Sequence, residues 1–146
     1  MNIRGVFLGM KHAIPVMIPQ GGGTIVNTSS FVGVAVPIPD SIPYGATKAA
    51  VLSMTTATAA AFADRGIRVY AVCPWVTDTP MIDRGAGNQP EVKGQLAKLN
   101  PSGQIAMPTD VANIVAAMFA GTSGYESGDA VLVDRGGATQ KVTLRL

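Results

Sequence analysis

The chain has 146 residues, enough for one domain or a large part of one, and only 14% of them are charged. Its 11 basic and 9 acidic residues give a net charge of +2 without any Lys/Arg cluster, which excludes the electrostatic pattern of a nucleic-acid-binding protein. The single cysteine, Cys73, excludes an internal disulfide and favours a reducing, cytoplasmic location. No apolar run reaches the ~20 residues of a membrane span, so we expect a soluble protein without membrane contact.

The first predicted element is a helix that starts with the chain itself. Apolar residues recur at helical spacing from Ile3 to Ile18 and form one stripe. Pro15 lies inside this pattern and is expected to bend or shorten the last turn. No N-cap precedes the pattern, so we expect the chain to begin inside a longer fold. His12 is interpreted as a surface residue, since the sequence has no second imidazole to share a ligand.

Strands and helices then alternate. The predicted elements are a strand at 24–28, a helix from Tyr44 to about Asp64, a strand at 67–72, a helix capped by Thr109 and Asp110 that runs to about Phe119, and a strand at 130–133. Gly66 follows the long helix in the position of a C-terminal cap. The alternation implies parallel pairing in an α/β sheet.

One long segment breaks this alternation. Residues from Pro74 to about Pro101 hold 3 of the 17 glycines, 4 of the 10 prolines and 6 of the 20 charged residues, a composition that predicts a long mobile excursion. An excursion of this length inside a compact domain is usually functional. Cys73, directly before it at a strand end, is interpreted as a small buried residue rather than as a nucleophile.

Tyr44 and Lys48 carry the first chemical signal. Four residues apart at a helix start, they share one helix face. A phenol with an ordinary pKa of about 10 is a poor base at neutral pH, but a fixed neighbouring cation favours the phenolate. Such a pair could exchange a proton with an alcohol or carbonyl oxygen. The spacing alone is weak, because tyrosine and lysine four apart are also common on surface helices.

The strand ends strengthen this signal. Ser29 and Ser30 close the strand that precedes the tyrosine helix, and a Thr- and Pro-rich stretch, 74–81, closes the next strand. In open α/β sheets, ligands bind at the carboxyl ends of the strands. Two consecutive strands therefore direct polar loops toward one edge, although a serine pair at a strand end can also be purely structural.

The ordered motifs resemble those of the short-chain dehydrogenases/reductases. The matching segments occur in the family's order and are spread over nearly the whole chain: MNIRGVFLGMKHAIP, GTIVNTSS, YGATK, IRVYAVCPWVTDTPM, DVANIV and SGDAVLVDRGG. The resemblance implies an α/β fold, a partial Rossmann-type doubly wound parallel sheet. Residues 1–146 would form the C-terminal part of a single NAD(P)-binding domain, without the Gly-rich loop of its N-terminal part.

The resemblance also implies catalytic roles. Tyr44 would be the general acid/base, and Lys48 would favour its phenolate form and bind the nicotinamide ribose. Ser30 would hydrogen-bond the substrate oxygen, because the family usually uses the second serine. Asn2 would hold a proton-relay water, although a polar residue at a frayed terminus is the alternative interpretation.

For the cofactor, NAD or NADP, the resemblance implies that Pro74, Thr77 and Thr79 line the nicotinamide carboxamide, together with Tyr44 and Lys48. The substrate would be a small alcohol or carbonyl compound, hydride transfer would be the reaction, and no metal is expected. The family forms dimers or tetramers through the first helix and the tyrosine helix, and the low charge content fits that use. The alternative is a truncated, non-catalytic remnant that acts, if at all, through association of these helices.

Two residues depart from the family pattern. Trp75 stands where the family usually has glycine after the proline. Its bulky side chain would narrow the nicotinamide pocket or force another backbone angle, and the alternative is an apolar residue that packs at the strand end. Arg135 replaces the first glycine of the family's terminal Asp-Gly-Gly pattern. Neither the substrate nor the choice between NAD and NADP follows from these residues.

Overall fold

A computed structural model describes residues 1–36, 38–135 and 139–142 of the chain. Its helices are α1 (Asn2–Met17), α2 (Ile42–Ala61), α3 (Pro80–Gly85), α4 (Pro90–Ala97) and α5 (Pro108–Ala120), and its strands are β1 (Gly23–Thr28), β2 (Ile67–Pro74), β3 (Ala130–Val133) and β4 (Thr139–Val142). Pro37 of the proline-rich loop and Gly136 and Gly137 of the terminal glycine motif lie outside the described residues.

The strands form one sheet in the order β1-β2-β3-β4. β1, β2 and β3 are parallel, as the alternation of strands and helices predicts, and the α/β Rossmann-type fold is thereby confirmed. β4 pairs with β3 in the antiparallel sense and was not predicted. Its sequence, TQKV, is mostly polar and lacks the apolar run that marks the three buried strands.

β2 organises the core because its residues point alternately to the two faces of the sheet. Val69 packs with Met10 and Ile14 of α1 on one face. On the opposite face, Tyr70 packs with Met118 of α5. Helices therefore cover both faces of a sheet that is apolar throughout its centre, which is the layered arrangement of a doubly wound fold.

The helix that carries Tyr44 begins two residues before the predicted start. Ile42 is its first residue and Pro43 occupies the first turn, where a missing backbone N–H costs nothing. Gly66 adopts a φ of +69° and ends the short turn after α2, in the predicted capping position. Thr109 and Asp110 both lie in the first turn of α5, whose N-cap residue is Met107. Asp110 Oδ2 accepts a hydrogen bond from Met107 N at 2.7 Å and so contributes to the predicted cap.

The segment 74–101, predicted as a long excursion, has secondary structure of its own. It contains two short helices, α3 and α4, each of which starts with a proline. Lys93 Nζ of α4 contacts Asp78 Oδ1 at 2.6 Å and Asp83 Oδ1 at 2.8 Å, which joins both helices to the end of β2. Within the described ranges, none of the helices combines the length and apolarity needed to cross a membrane.

Candidate active site

A pocket of about 840 Å³ lies at the carboxyl ends of β1 and β2. Six of the seven predicted site residues line it together: Ser30, Tyr44, Lys48, Pro74, Thr77 and Thr79. They come from two strand ends and the first turns of α2, so the parallel arrangement of β1 and β2 brings them to one edge. The structure thus places the predicted residues around a common space, and their roles stay predictions.

Lys48 is held at this pocket by backbone and aromatic contacts. Its Nζ donates to Thr28 O at 3.0 Å and lies 5.6 Å from the centre of the Tyr44 ring. Partial burial lowers the pKa of Lys48, and the nearby Cys73 counters this in part. The carbonyl of Thr28 therefore holds the Lys48 amine next to the tyrosine, while burial disfavours the charged form of that amine.

The two serines have different partners. Ser29 Oγ donates to Lys48 O at 2.8 Å, which ties the β1 loop to α2. Ser30 Oγ accepts from Val32 N at 3.3 Å and caps the short turn at Phe31–Gly33. Ser30 therefore uses its oxygen as an acceptor and can still donate its hydroxyl proton to a ligand.

Gly33 allows the serine loop to lie directly against α2. A Cβ at this position would come within 2.8 Å of the backbone nitrogen of Ala49 and 2.9 Å of Lys48 Cβ. Contacts this short are not tolerated by real side chains, so any larger residue would push the loop away from the helix. The glycine thereby sets the distance between the Ser30 loop and the helix that carries Tyr44 and Lys48.

Asn2 is the predicted site residue that does not line the pocket. Its Nδ2 donates to Thr47 Oγ1 at 3.1 Å, and Thr47 Oγ1 in turn donates to Tyr44 O at 2.7 Å. The side chain is exposed at the start of α1. This geometry links α1 to the tyrosine helix, and the role of Asn2 in holding a relay water stays a prediction.

The segment after β2 forms one wall of the pocket. Thr77 Oγ1 donates to Trp75 O at 2.9 Å, and Thr79 Oγ1 donates to Thr77 O at 3.3 Å. The backbone of this segment pairs with Ala106, whose N donates to Val76 O at 2.9 Å and whose O accepts from Asp78 N at 2.8 Å. The wall is thus held as a strand-like extension of β2.

Trp75 is buried and stacks on Phe31, with ring centres 4.6 Å apart and planes inclined by 19°. Both rings also line the pocket. The two sequence interpretations of Trp75 are therefore compatible, because the same side chain packs at the strand end and narrows the space beside Pro74. Phe31 had no distinguishing signal in the sequence, since only the fold brings it onto Trp75.

Cys73 is buried, as the sequence interpretation holds. Burial raises the pKa of its thiol to about 12, against smaller opposing effects from Ser29 and Lys48. A thiol in this state is a poor nucleophile. His12 is exposed on α1, and within the described ranges no cluster of three or more His, Cys, Asp or Glu side chains could hold a metal ion.

Asn100 and Asp134 form a buried polar pair next to the site that sequence reasoning missed. Asn100 Oδ1 accepts from Val76 N at 2.9 Å, and Asn100 Nδ2 lies 3.1 Å from Asp134 Oδ1. Arg135, the second departure from the family pattern, donates its backbone N to Asp134 Oδ1 at 2.7 Å. An asparagine before a proline reads as a loop residue, so the sequence contained no signal for this contact.

Known proteins share both the sequence pattern and the fold. Residues 1–138 match a family described as enoyl-(acyl carrier protein) reductase. The chain is 37% identical over 134 residues to 2-(R)-hydroxypropyl-CoM dehydrogenase of Xanthobacter autotrophicus and 38% identical over 136 residues to cis-4-hydroxycyclohexanecarboxylate dehydrogenase of Sinomonas cyclohexanicum. These matches cover 92% and 93% of the chain, and 53% of each relative.

A solved structure, ElxO with NADP bound, superimposes with a TM-score of 0.81 at 31% sequence identity. The match covers 93% of this chain and 54% of ElxO. The chain therefore spans about half the length of the relatives that it matches.

Proposed function

Since this chain belongs to the short-chain dehydrogenase/reductase family, we propose that the intact protein transfers hydride between a nicotinamide cofactor and a small alcohol or carbonyl substrate. The convergence of Ser30, Tyr44 and Lys48 with Pro74, Thr77 and Thr79 in one pocket carries this proposal. NAD or NADP is the proposed cofactor, supported by the NADP bound in a relative of the same fold. A cytoplasmic location, in keeping with the unpaired Cys73, belongs to the same proposal.

In the proposed reaction, the bound nicotinamide supplies or accepts the hydride. Tyr44 exchanges its phenolic proton with the substrate oxygen, and Ser30 donates a hydrogen bond to that same oxygen. Lys48, 5.6 Å from the tyrosine ring, stabilises the negative charge that Tyr44 carries after giving up its proton. Asn2 acts further away, on a water that relays protons from solvent.

The pocket fits the nicotinamide end of the cofactor in size and chemistry. Lys48 Nζ supplies a cation for the ribose hydroxyls, and the Thr77 and Thr79 hydroxyls lie on the wall that we assign to the carboxamide. Pro74 completes this wall with an apolar surface for the ring. The arrangement supports binding of the nicotinamide half of either NAD or NADP.

The remaining lining of the pocket is mostly apolar. It includes Phe31, Trp75, Ile82, Leu96 and Leu99. Burying such surface favours a substrate with an apolar body, at roughly 25 cal/mol for each Å² removed from water. We therefore propose a secondary alcohol or ketone on an apolar ring or chain, in keeping with the alcohols in the names of the two relatives.

The test is an assay of the intact protein, with any residues that flank 1–146, on a panel of cyclic and open-chain alcohols and ketones. Tyr44→Phe should lower kcat by about 10²–10⁴-fold, the usual contribution of a general acid/base. Binding of NADH or NADPH should change little, because the phenol ring stays in place. Lys48→Met should lower both kcat and cofactor affinity.

Tyr70→Phe is the matched control, because Tyr70 is buried on the face of β2 that packs against α5. This variant also loses a tyrosine hydroxyl, but one that lies away from the pocket, so it should keep the activity of the parent. Turnover of Tyr44→Phe within a factor of a few of the parent would rule out the assignment. A parent without turnover on the whole panel would instead favour the alternative of a non-catalytic remnant, which the dehydrogenase relatives do not favour.

A further inference from the structure

Asn100 pairs with the backbone of Val76 as a neighbouring strand would. Its Oδ1 accepts from Val76 N at 2.9 Å, and its Nδ2 donates to Val76 O at 2.9 Å. The asparagine is 3% exposed, so both contacts are shielded from water. A side-chain amide has the same donor and acceptor as a peptide unit and here satisfies both polar groups of one residue.

The asparagine is itself anchored from the end of β3. Its Nδ2 lies 3.1 Å from Asp134 Oδ1 and 2.7 Å from Gln104 O, so its two hydrogens are shared among three acceptors. Asp134 Oδ2 accepts from Ser102 N at 2.7 Å, and Asp134 Oδ1 lies 3.0 Å from Ser102 Oγ. Asp134 Oδ1 also accepts from the backbone N of Arg135. Both oxygens of this buried carboxylate therefore have hydrogen-bond partners, and they hold the loop at 100–104 in place.

Val76 lies at the centre of the wall that we assign to the nicotinamide. Trp75 and Thr77 flank it, and Pro74 and Thr79 lie within three residues on either side. Ala106 pairs with Val76 O as well, but only Asn100 reaches Val76 N among the described contacts. Removing the amide would leave a buried N–H without its acceptor, which favours a shift of the Val76 backbone toward another partner.

We propose that Asn100 is a positioning residue: through Val76 it sets the backbone of Pro74–Thr79 for binding the nicotinamide half of the cofactor. The inference rests on the proposed function. Asn100 does not line the pocket, so it acts on the ligand through its neighbours, and its two hydrogen bonds to Val76 make Pro74–Thr79 the segment that it holds directly. It should therefore influence the nicotinamide half of the cofactor and leave the adenosine half unaffected.

The experiment titrates the intact protein calorimetrically with NADH and NADPH, and with ADP-ribose and its 2′-phosphate, which lack the nicotinamide. Asn100→Ala should weaken binding of the preferred reduced cofactor by about five- to tenfold, the usual effect of losing one or two buried hydrogen bonds. Binding of the matching ADP-ribose compound should stay unchanged. Asp134→Asn keeps the volume of the side chain and should produce a smaller change in the same direction, which provides a second test if Asn100→Ala does not fold.

Asn27→Ala is the matched control. Asn27 is also a buried asparagine, and its Nδ2 donates to Thr55 Oγ1 at 2.9 Å, away from the Val76 segment. Asn27→Ala should lower the stability of the protein without changing the ratio between its affinities for the reduced cofactor and for the ADP-ribose compound. The inference would be overturned if Asn100→Ala lost equal affinity for the reduced cofactor and for the ADP-ribose compound, or lost affinity for neither. Failure of the parent to bind NADH and NADPH would instead overturn the proposed function itself.

Discussion

Lys48 and Cys73 lie close enough together for each to influence the pKa of the other, and burial shifts their pKa values in opposite directions. It lowers the pKa of the ammonium and raises that of the thiol, since in each case the charged form is disfavoured. Lys48 Nζ has two partners at the site, Thr28 O and the Tyr44 ring. Cys73 has the deeper position and stays neutral, so it supports the site by packing.

The raised pKa of Cys73, about 12 against an ordinary 9.0, predicts slow alkylation. At pH 8 the thiolate fraction should be about a thousandfold smaller than that of an ordinary thiol, so iodoacetamide should label the native protein at least about a thousandfold more slowly than the unfolded protein. The check is the labelling rate of Cys73, followed by mass spectrometry with and without denaturant. Equal labelling rates in the native and the unfolded protein would contradict the raised pKa of Cys73.

The same shift has a consequence for stability. Between pH 9 and 12 the folded state keeps a proton on Cys73 that the unfolded state releases, so this contribution to stability falls as pH rises through that window. Below pH 9 the thiol is protonated in both states and the contribution no longer changes. Cys73→Ala should remove this part of the alkaline loss of stability.

Among the elements, α1 and α2 leave large apolar side chains exposed. The exposed apolar side chains are those of Ile3, Phe7 and Val16 on α1 and Ile42 on α2. Surfaces of this kind favour association. We expect the intact protein to be a dimer or tetramer through these two helices, in keeping with the family resemblance.

Phe7 and Phe119 allow a matched test of this interface, because each is 53% exposed, on α1 and α5 respectively. Phe7→Ser should shift the intact protein toward monomer in sedimentation velocity at micromolar concentration. Phe119→Ser should not, since the same apolar area is lost on another helix. Dissociation by Phe119→Ser alone would place the interface at α5, and a monomeric parent would exclude the assembly.

At the scale of the whole molecule, the described sheet ends in β1, whose only neighbour is β2. A parallel edge strand of this kind is normally covered. The site described above accounts for the nicotinamide end of a cofactor. Within residues 1–36, 38–135 and 139–142, no Gly-rich turn follows a strand and opens a helix, which is the element that binds pyrophosphate in this fold.

We therefore predict that residues 1–146 by themselves bind NADH and NADPH at least about a thousandfold more weakly than the intact protein. Three missing backbone hydrogen bonds to pyrophosphate, at roughly 1.5–3 kcal/mol each, account for a loss of this size. Calorimetric titration of the purified 146-residue chain with both nucleotides is the measurement. Micromolar binding, or turnover abolished by Tyr44→Phe, would show that these residues contain a complete cofactor site.

Much of the site was predictable because its signals are local. The four-residue spacing of Tyr44 and Lys48, the serines at the end of β1 and the threonines after β2 can all be read from neighbouring residues. Their meeting at one edge follows from a general rule, since parallel strands end on the same side of a sheet. The sequence by itself therefore determined the fold class and the strands β1 to β3, and its resemblance to the family selected six of the residues that line the pocket.

The tertiary structure decided what depends on contacts between distant segments. Asn100 meets Val76 and Asp134 only because the loop after α4 folds back onto the ends of β2 and β3. Phe31 meets Trp75, and Asn2 turns to Thr47 rather than into the pocket, for the same kind of reason. Hydrogen bonds and ring contacts act over a few ångströms, whereas sequence patterns report only which face of an element a residue occupies.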